Sequence, residues 1–150
     1  MVCYNGVVGY NNNRPIPVKE CRGFALIDDY APFIFINNKD AKSAQMFTII
    51  HELVHILIGH SAGFGDNDGQ IQESVLERFC DKVSATFLVP EILLKEEWSK
   101  VGENYAVLAK RFKVSRFVIA RRAMDISYIS EQHYYSLYRQ WRNEKTDTPT

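Results

Sequence analysis

The chain has 150 residues, enough for one domain with a buried core. Hydrophobic residues make up 46% and charged residues 24%, with a formal net charge of +0, so no overall field draws it to nucleic acid or to an anionic membrane surface. No apolar run approaches the length of a membrane span, and the first residues lack the basic-then-apolar pattern of a signal peptide. The odd, sparse set Cys3, Cys21 and Cys80 points to reduced thiols and a cytoplasmic protein.

Residues 1–20 are weakly patterned, and Asn11-Asn12-Asn13 and Pro15-Ile16-Pro17 mark turns or an extended entry. Gly23-Phe24-Ala25-Leu26-Ile27 reads as a strand, Asp28 to Pro32 as a turn, and Phe33-Ile34-Phe35-Ile36-Asn37 as a second strand. Two such runs joined by a short turn predict an antiparallel hairpin. Asp40 or Ser43 is placed to cap the helix that follows, which Gly59 ends. After a polar, glycine-rich stretch from Ser61 to Gly69, a second helix is expected over Ile71 to Leu88. Its apolar face would be Ile71, Val75, Leu76, Phe79, Val83 and Phe87.

Pro90 closes that helix or opens the next, expected over Glu91 to Lys100. Glu103 to Arg111 and Ser115 to Met124 read as two more helices, and Ser130 as the cap of a last one through Trp141. The expected class is α+β: a short twisted antiparallel or mixed sheet packed on a buried helix, then a mostly helical C-terminal half. The expected division is a core over residues 1–100 and a helical subdomain over 101–150 packed on it.

The most informative pentapeptide is His51-Glu52-Leu53-Val54-His55. Residues four apart lie on one face of a helix, so both imidazoles can grip one zinc ion, at about 2.0–2.1 Å each. Glu52 follows the first of them and is placed to take a proton from a water that the metal acidifies. The flanking run from Phe47 to Ile58 is apolar nearly all round. Two histidines and a carboxylate in such a helix are costly unless partnered, and a metal is the simplest common partner.

A catalytic zinc usually keeps three protein ligands. A third histidine six residues beyond the second is excluded, because Ile58, Gly59, His60 and Ser61 are out of register for that pattern. His60 reads as a helix-end cation and His133 as a surface residue. The other source is a glutamate of the next helix, Glu73 or Glu77. Small neighbours at Cys80, Ser84 and Ala85 favour Glu77, since they would let the two helices approach closely. Asp81 would then accept the free N–H of a ligand histidine.

Three blocks of this sequence resemble the ImmA/IrrE family of bacterial metallopeptidases. They are Cys21-Arg22-Gly23-Phe24-Ala25-Leu26 with Tyr30 to Asn37; Gln45 to His55 running on to Gly59; and Glu77-Arg78-Phe79-Cys80-Asp81 ending in Phe87-Leu88-Val89-Pro90. The resemblance implies zinc held by His51, His55 and Glu77, with Glu52 as general base. It also implies a regulatory protease cleaving a helix-turn-helix repressor of a mobile element or stress response. Cys21 stands where the family usually has Phe and Asp81 where Asn is common, and neither departure removes a ligand.

Beyond this, Tyr10, Tyr30 and Tyr105 are candidates for the oxyanion donor. The Phe33–Asn37 strand, if at a sheet edge, would pair with extended substrate. Cys3, in a flexible terminus, is a candidate plug for the fourth metal position. Leu108 to Arg122 has the cadence of a helix-turn-helix and carries Lys110, Arg111, Lys113, Arg116, Arg121 and Arg122. That keeps open a second class, a DNA- or protein-binding regulator with a vestigial peptidase site. The resemblance implies a protein substrate, and the neutral chain argues against a membrane partner and against nucleic acid bound directly.

Overall fold

Strand β2 (Gly23–Leu26) pairs antiparallel with β3 (Phe33–Ile36) in the register Gly23 to Ile36 and Leu26 to Phe33. This is the expected hairpin, shortened by one residue at each strand's end. A third strand, β1 (Val2–Tyr4), runs parallel to β3 on its other side, so the order is β1-β3-β2. The computed structural model from which this fold is taken describes residues 1–4, 17–59 and 70–146. The expected Asn11-Asn12-Asn13 turn and the Ser61–Gly69 loop lie outside the described residues, as does His60.

The sheet corrects two expectations. β3 is central among the described strands, so its backbone is committed on both sides and cannot take a substrate strand. The start of the chain is ordered as a strand, and Cys3 sits in register with Phe35. Ile34 and Ile36 alternate with Phe35 and are buried, so Cys3 lies on the opposite face of the sheet. That removes it as a plug for the metal position. The missed signal in Val2-Cys3-Tyr4 is short because a three-residue parallel strand carries too little alternation to stand out.

Alternation along the hairpin explains which face is covered. Ala25, Ile34 and Ile36 are buried toward helix α1 (Lys42–Leu57), which packs on β2 and β3. Phe24 stacks on Phe35 on the other face, with ring centroids 5.0 Å apart. Asn37 is fully buried where β3 ends; its Nδ2 donates to the Cys21 carbonyl at 2.8 Å and its Oδ1 accepts from the Lys39 amide at 3.0 Å. Gln45 is buried in the first turn of α1 and donates through Nε2 to the carbonyls of Asp40 (2.7 Å) and Asn38 (3.2 Å). These two amides tie the β3–α1 connection down and fix the angle at which α1 leaves the sheet. The expected cap is not used: Ala41 is the N-cap and no side chain caps the helix, while Asp40 Oδ1 accepts from the Ala41 amide.

Helix α2 (Gln70–Leu88) turns a different side inward from the one its pattern suggests. Cys80, Ser84 and Ala85 are buried, whereas Val75, Phe79 and Phe87 are exposed, Phe87 at 68%. The apolar stripe is therefore an outer face and the small residues the inner one.

The chain divides into two compact units, Met1–Phe87 and Leu88–Thr150. The second holds α3 (Glu91–Val101), α4 (Tyr105–Phe112), α5 (Arg116–Asp125) and α6 (Glu131–Thr146). Asn104 and Ser115 cap α4 and α5 by accepting the amides of Val107 and Val118, each cap contributing about 1 kcal/mol. Ser130 accepts the His133 amide at the start of α6, as its sequence position suggests. Leu94, Leu108, Ile119, Tyr105 and Trp141 form the core of this unit. Among the described residues no helix is long and apolar enough to cross a membrane.

Candidate metal centre

His51 and His55 stand one helical turn apart on the face of α1, as their spacing requires. Their Nε2 atoms lie 3.1 Å from each other. Glu77, on the inner face of α2, brings Oε2 to 3.1 Å from His51 Nε2 and Oε1 to 3.0 Å from His55 Nε2. Each imidazole nitrogen thus meets a different oxygen of the same carboxylate. A tetrahedral zinc with bonds of about 2.0–2.1 Å requires ligand atoms about 3.3 Å apart; the two nitrogens are near that spacing at 3.1 Å, and one donor atom from each of the three residues lies within 4.8 Å of the others. The chemistry of the set agrees: two imidazole nitrogens aimed at each other repel if both present lone pairs, and a shared cation relieves this. Among the described residues no other group of His, Cys, Asp and Glu is placed to hold a metal. The alternative glutamate, Glu73, has its side chain outside the described residues.

Asp81 lies one turn beyond Glu77 and places Oδ1 3.0 Å from Nδ1 of His51. An N–H at Nδ1 leaves the Nε2 lone pair for the metal side, so this carboxylate selects the ligating tautomer. Burial works against charge on His51, but Asp81, then Glu77 and Glu52, outweigh it and raise its pKa above the ordinary value.

Glu52 is 5% exposed. Burial pushes its pKa up, His51 opposes this, Glu77 adds to it, and the nearby Ala25 backbone pulls the other way. A carboxylate raised in this manner is suited to taking and returning a proton. Cys80, also on the inner face of α2, is fully buried, and burial together with Glu77, Asp81 and Glu52 lifts its thiol to about 11. Cys21 is lifted by burial and by Glu52. Neither thiol is primed as a nucleophile.

The tyrosines do not supply an evident oxyanion donor. Tyr30 is 97% exposed. Tyr105 is buried in the second unit with its hydroxyl donating to Glu103 at 2.8 Å, and Tyr10 lies outside the described residues. His133, expected at the surface, is exposed on α6 and paired with the same Glu103.

A helix-borne pair of histidines, an acid from the following helix that meets both, and a buried carboxylate between them beside a small mixed sheet define a metallopeptidase domain. A family model described as the IrrE N-terminal-like domain matches residues 13–124, well over half of the chain. The chain is also 34% identical over 95 residues to the radiation response metalloprotease IrrE of Deinococcus radiodurans, an alignment that covers 55% of this chain and 27% of that protein. It therefore spans little more than a quarter of that relative's length. The chain belongs to the IrrE N-terminal-like domain family of metallopeptidases.

Proposed function

We propose that this chain is a zinc-dependent endopeptidase in which His51, His55 and Glu77 hold one zinc ion and Glu52 is the general base. The observation that carries this reading is the convergence of one donor atom from each of three residues, all within 4.8 Å of one another, beside a buried carboxylate. A bound zinc lowers the pKa of a coordinated water toward about 7 and polarises a peptide carbonyl. Glu52 accepts a proton from the attacking water at a carboxylate oxygen and returns it to the departing amine as the peptide bond breaks. Asp81 keeps the His51 proton on Nδ1, so that its other nitrogen stays unprotonated toward the metal.

The substrate of this reading is a helix-turn-helix repressor of a mobile element or stress response, cut in the cytoplasm. A regulatory role agrees with the radiation response metalloprotease to which the chain is similar. The competing view of Leu108 to Arg122 as a DNA reader is disfavoured by how its charges are spent. Arg111 pairs with Glu97, Arg116 with Glu144, and Arg121 and Arg122 with Asp125. Arg122 is 4% exposed and donates to the Val89 carbonyl at 3.1 Å. Ile119, Ala120 and Ala123 turn into the core, which leaves α5 little free surface for a groove.

Metal analysis of protein purified without chelator tests the reading. One zinc per chain, lost in His55→Ala, is expected; protein with no metal at all overturns it. Glu52→Gln should keep the zinc and stop cleavage of a co-expressed repressor encoded beside the gene.

A further inference from the structure

Residues four apart on a helix stand in rows, and two neighbouring rows of α2 face outward. The first is Val75, Phe79, Val83 and Phe87. Val75 is 54% exposed, Phe79 50% and Phe87 68%, with Val83 half-buried among them. The second is Ser74, Arg78, Lys82 and Thr86, all of them exposed. The helix's carboxylates stand one row further round: Glu77 meets both His51 and His55, and Asp81 meets His51. On the other side of the apolar row, Cys80 and Ser84 are buried. The outward face is therefore an apolar band with positive charge along one edge and no carboxylate in either row. Arg78 donates from Nε to the Ser74 carbonyl of its own helix at 3.0 Å. Arg78 and Lys82 are like charges one turn apart, an arrangement that weakens a helix standing alone and that an acidic neighbour relieves.

Size and charge decide what fits this face. The exposed parts of Val75, Phe79 and Phe87 amount to on the order of 300 Å², the scale at which an apolar patch with a polar rim marks an interaction site. That falls well short of the ~800 Å² per partner that a stable protein–protein interface buries. A second copy laid antiparallel across the band would also bring Arg78 and Lys82 against their own counterparts, which like charges oppose. A single amphipathic helix suits it better, with anchors at i, i+3, i+4 and i+7 on the band and acidic residues beside them on the basic row. We propose that the outer face of α2 is a docking site for an amphipathic helix of another protein, apolar along one stripe and acidic along its edge. This goes beyond the peptidase reading and does not depend on it. The helix that brings Glu77 to the histidines offers its other side to a partner.

Synthetic helical peptides with one leucine stripe test this on the full chain, by fluorescence anisotropy and 15N–1H spectra. One peptide carries glutamates along the edge of its stripe, a second carries lysines at the same places, and a third is the first with its order scrambled. The glutamate peptide is expected to bind and to shift the amides of residues 74–87. The lysine peptide should bind about tenfold more weakly or worse, since charges at the rim of a contact act chiefly on selectivity. Added salt should narrow that difference. Phe79→Ser, which alters an exposed side chain, should abolish binding and leave the rest of the spectrum in place. The double variant Arg78→Glu with Lys82→Glu should reverse the preference toward the lysine peptide. Equal binding of all three peptides, absence of shifts along α2, or a double variant that keeps the original preference overturns the proposal. So does sedimentation that finds a dimer lost in Phe79→Ser, because the occupant would then be a second copy of this chain. No metal or substrate enters these measurements, so zinc content, read separately, judges the peptidase reading alone.

Discussion

Asp81 Oδ1 lies 3.0 Å from Nδ1 of His51, on the side of the ring away from Glu77 and His55. This carboxylate touches no ligand position and still decides which nitrogen of His51 is free. Asp81→Ala should weaken zinc binding by about 10–100-fold, the usual cost of losing an outer carboxylate. Asp81→Asn, whose side-chain oxygen can still accept from Nδ1, should lose much less. Competition against a chromophoric chelator measures both. Equal affinities for the unaltered chain and Asp81→Ala would refute the role.

Proton competition at His51 gives the centre a pH dependence of known sign. The metal-free ring keeps its proton to a higher pH than an ordinary histidine, with burial opposing and Asp81 and the two glutamates prevailing. Zinc must displace that proton. Affinity should therefore begin to fall while the pH is still above about 6.5, the ordinary histidine value, and keep falling below it. For the metal-free chain the same raised pKa contributes stability that is fully present below about 6.5 and is lost as pH rises through the folded value. Zinc titrations and thermal melts at stepped pH should move in these opposite directions.

The three thiols should differ sharply in reactivity. Cys80 is fully buried with its pKa lifted to about 11, so at pH 8 about one thiol in a thousand is ionised. Cys3 and Cys21 are only half-buried. A disulfide reagent should therefore titrate at most two thiols in the folded protein and a third after denaturation. Rapid labelling of Cys80 in the native chain would contradict the packing of α2.

Lys113 closes α4 in the left-handed region, at φ 55° and ψ 36°. A residue with a Cβ is strained there by about 1–2 kcal/mol, and glycine is not. Lys113→Gly should raise stability by about 1 kcal/mol after the added freedom of the unfolded chain is counted, a Tm shift of about 2–4 °C. Unchanged or lower thermal stability in calorimetry would show that Lys113 makes a compensating contact.

Much of this arrangement could be read from residues alone, for identifiable reasons. The helix spacing of His51 and His55 fixes their common face, and the small residues beside Glu77 make it a better third donor than its neighbours. The hairpin was legible because Phe33 to Ile36 is dense in aromatic and β-branched residues. What escaped depends on contacts made across the sequence. β1 has three residues and little pattern of its own, so β3's central position cannot be seen from β3 itself. The apolar stripe of α2 suggests a buried face, yet Phe79 and Phe87 face outward and the small residues Cys80, Ser84 and Ala85 are the buried ones. The close approach of β2 to α1 was beyond reach as well, since backbone position carries no residue-type signal. Only Gly23, a residue that weakens a strand without some local need for it, hinted at a close approach.

The inner side of α2 has a last implication. Cys80, Ser84 and Ala85 are buried on the helix that carries Glu77, so a larger side chain at any of them would have to displace that helix. On the metal reading proposed above, volume at a distance would affect the grip on the ion. Ser84→Leu should loosen the metal as surely as damage to a ligand, and a survey of sequence variation that watched only the four motif residues would overlook it.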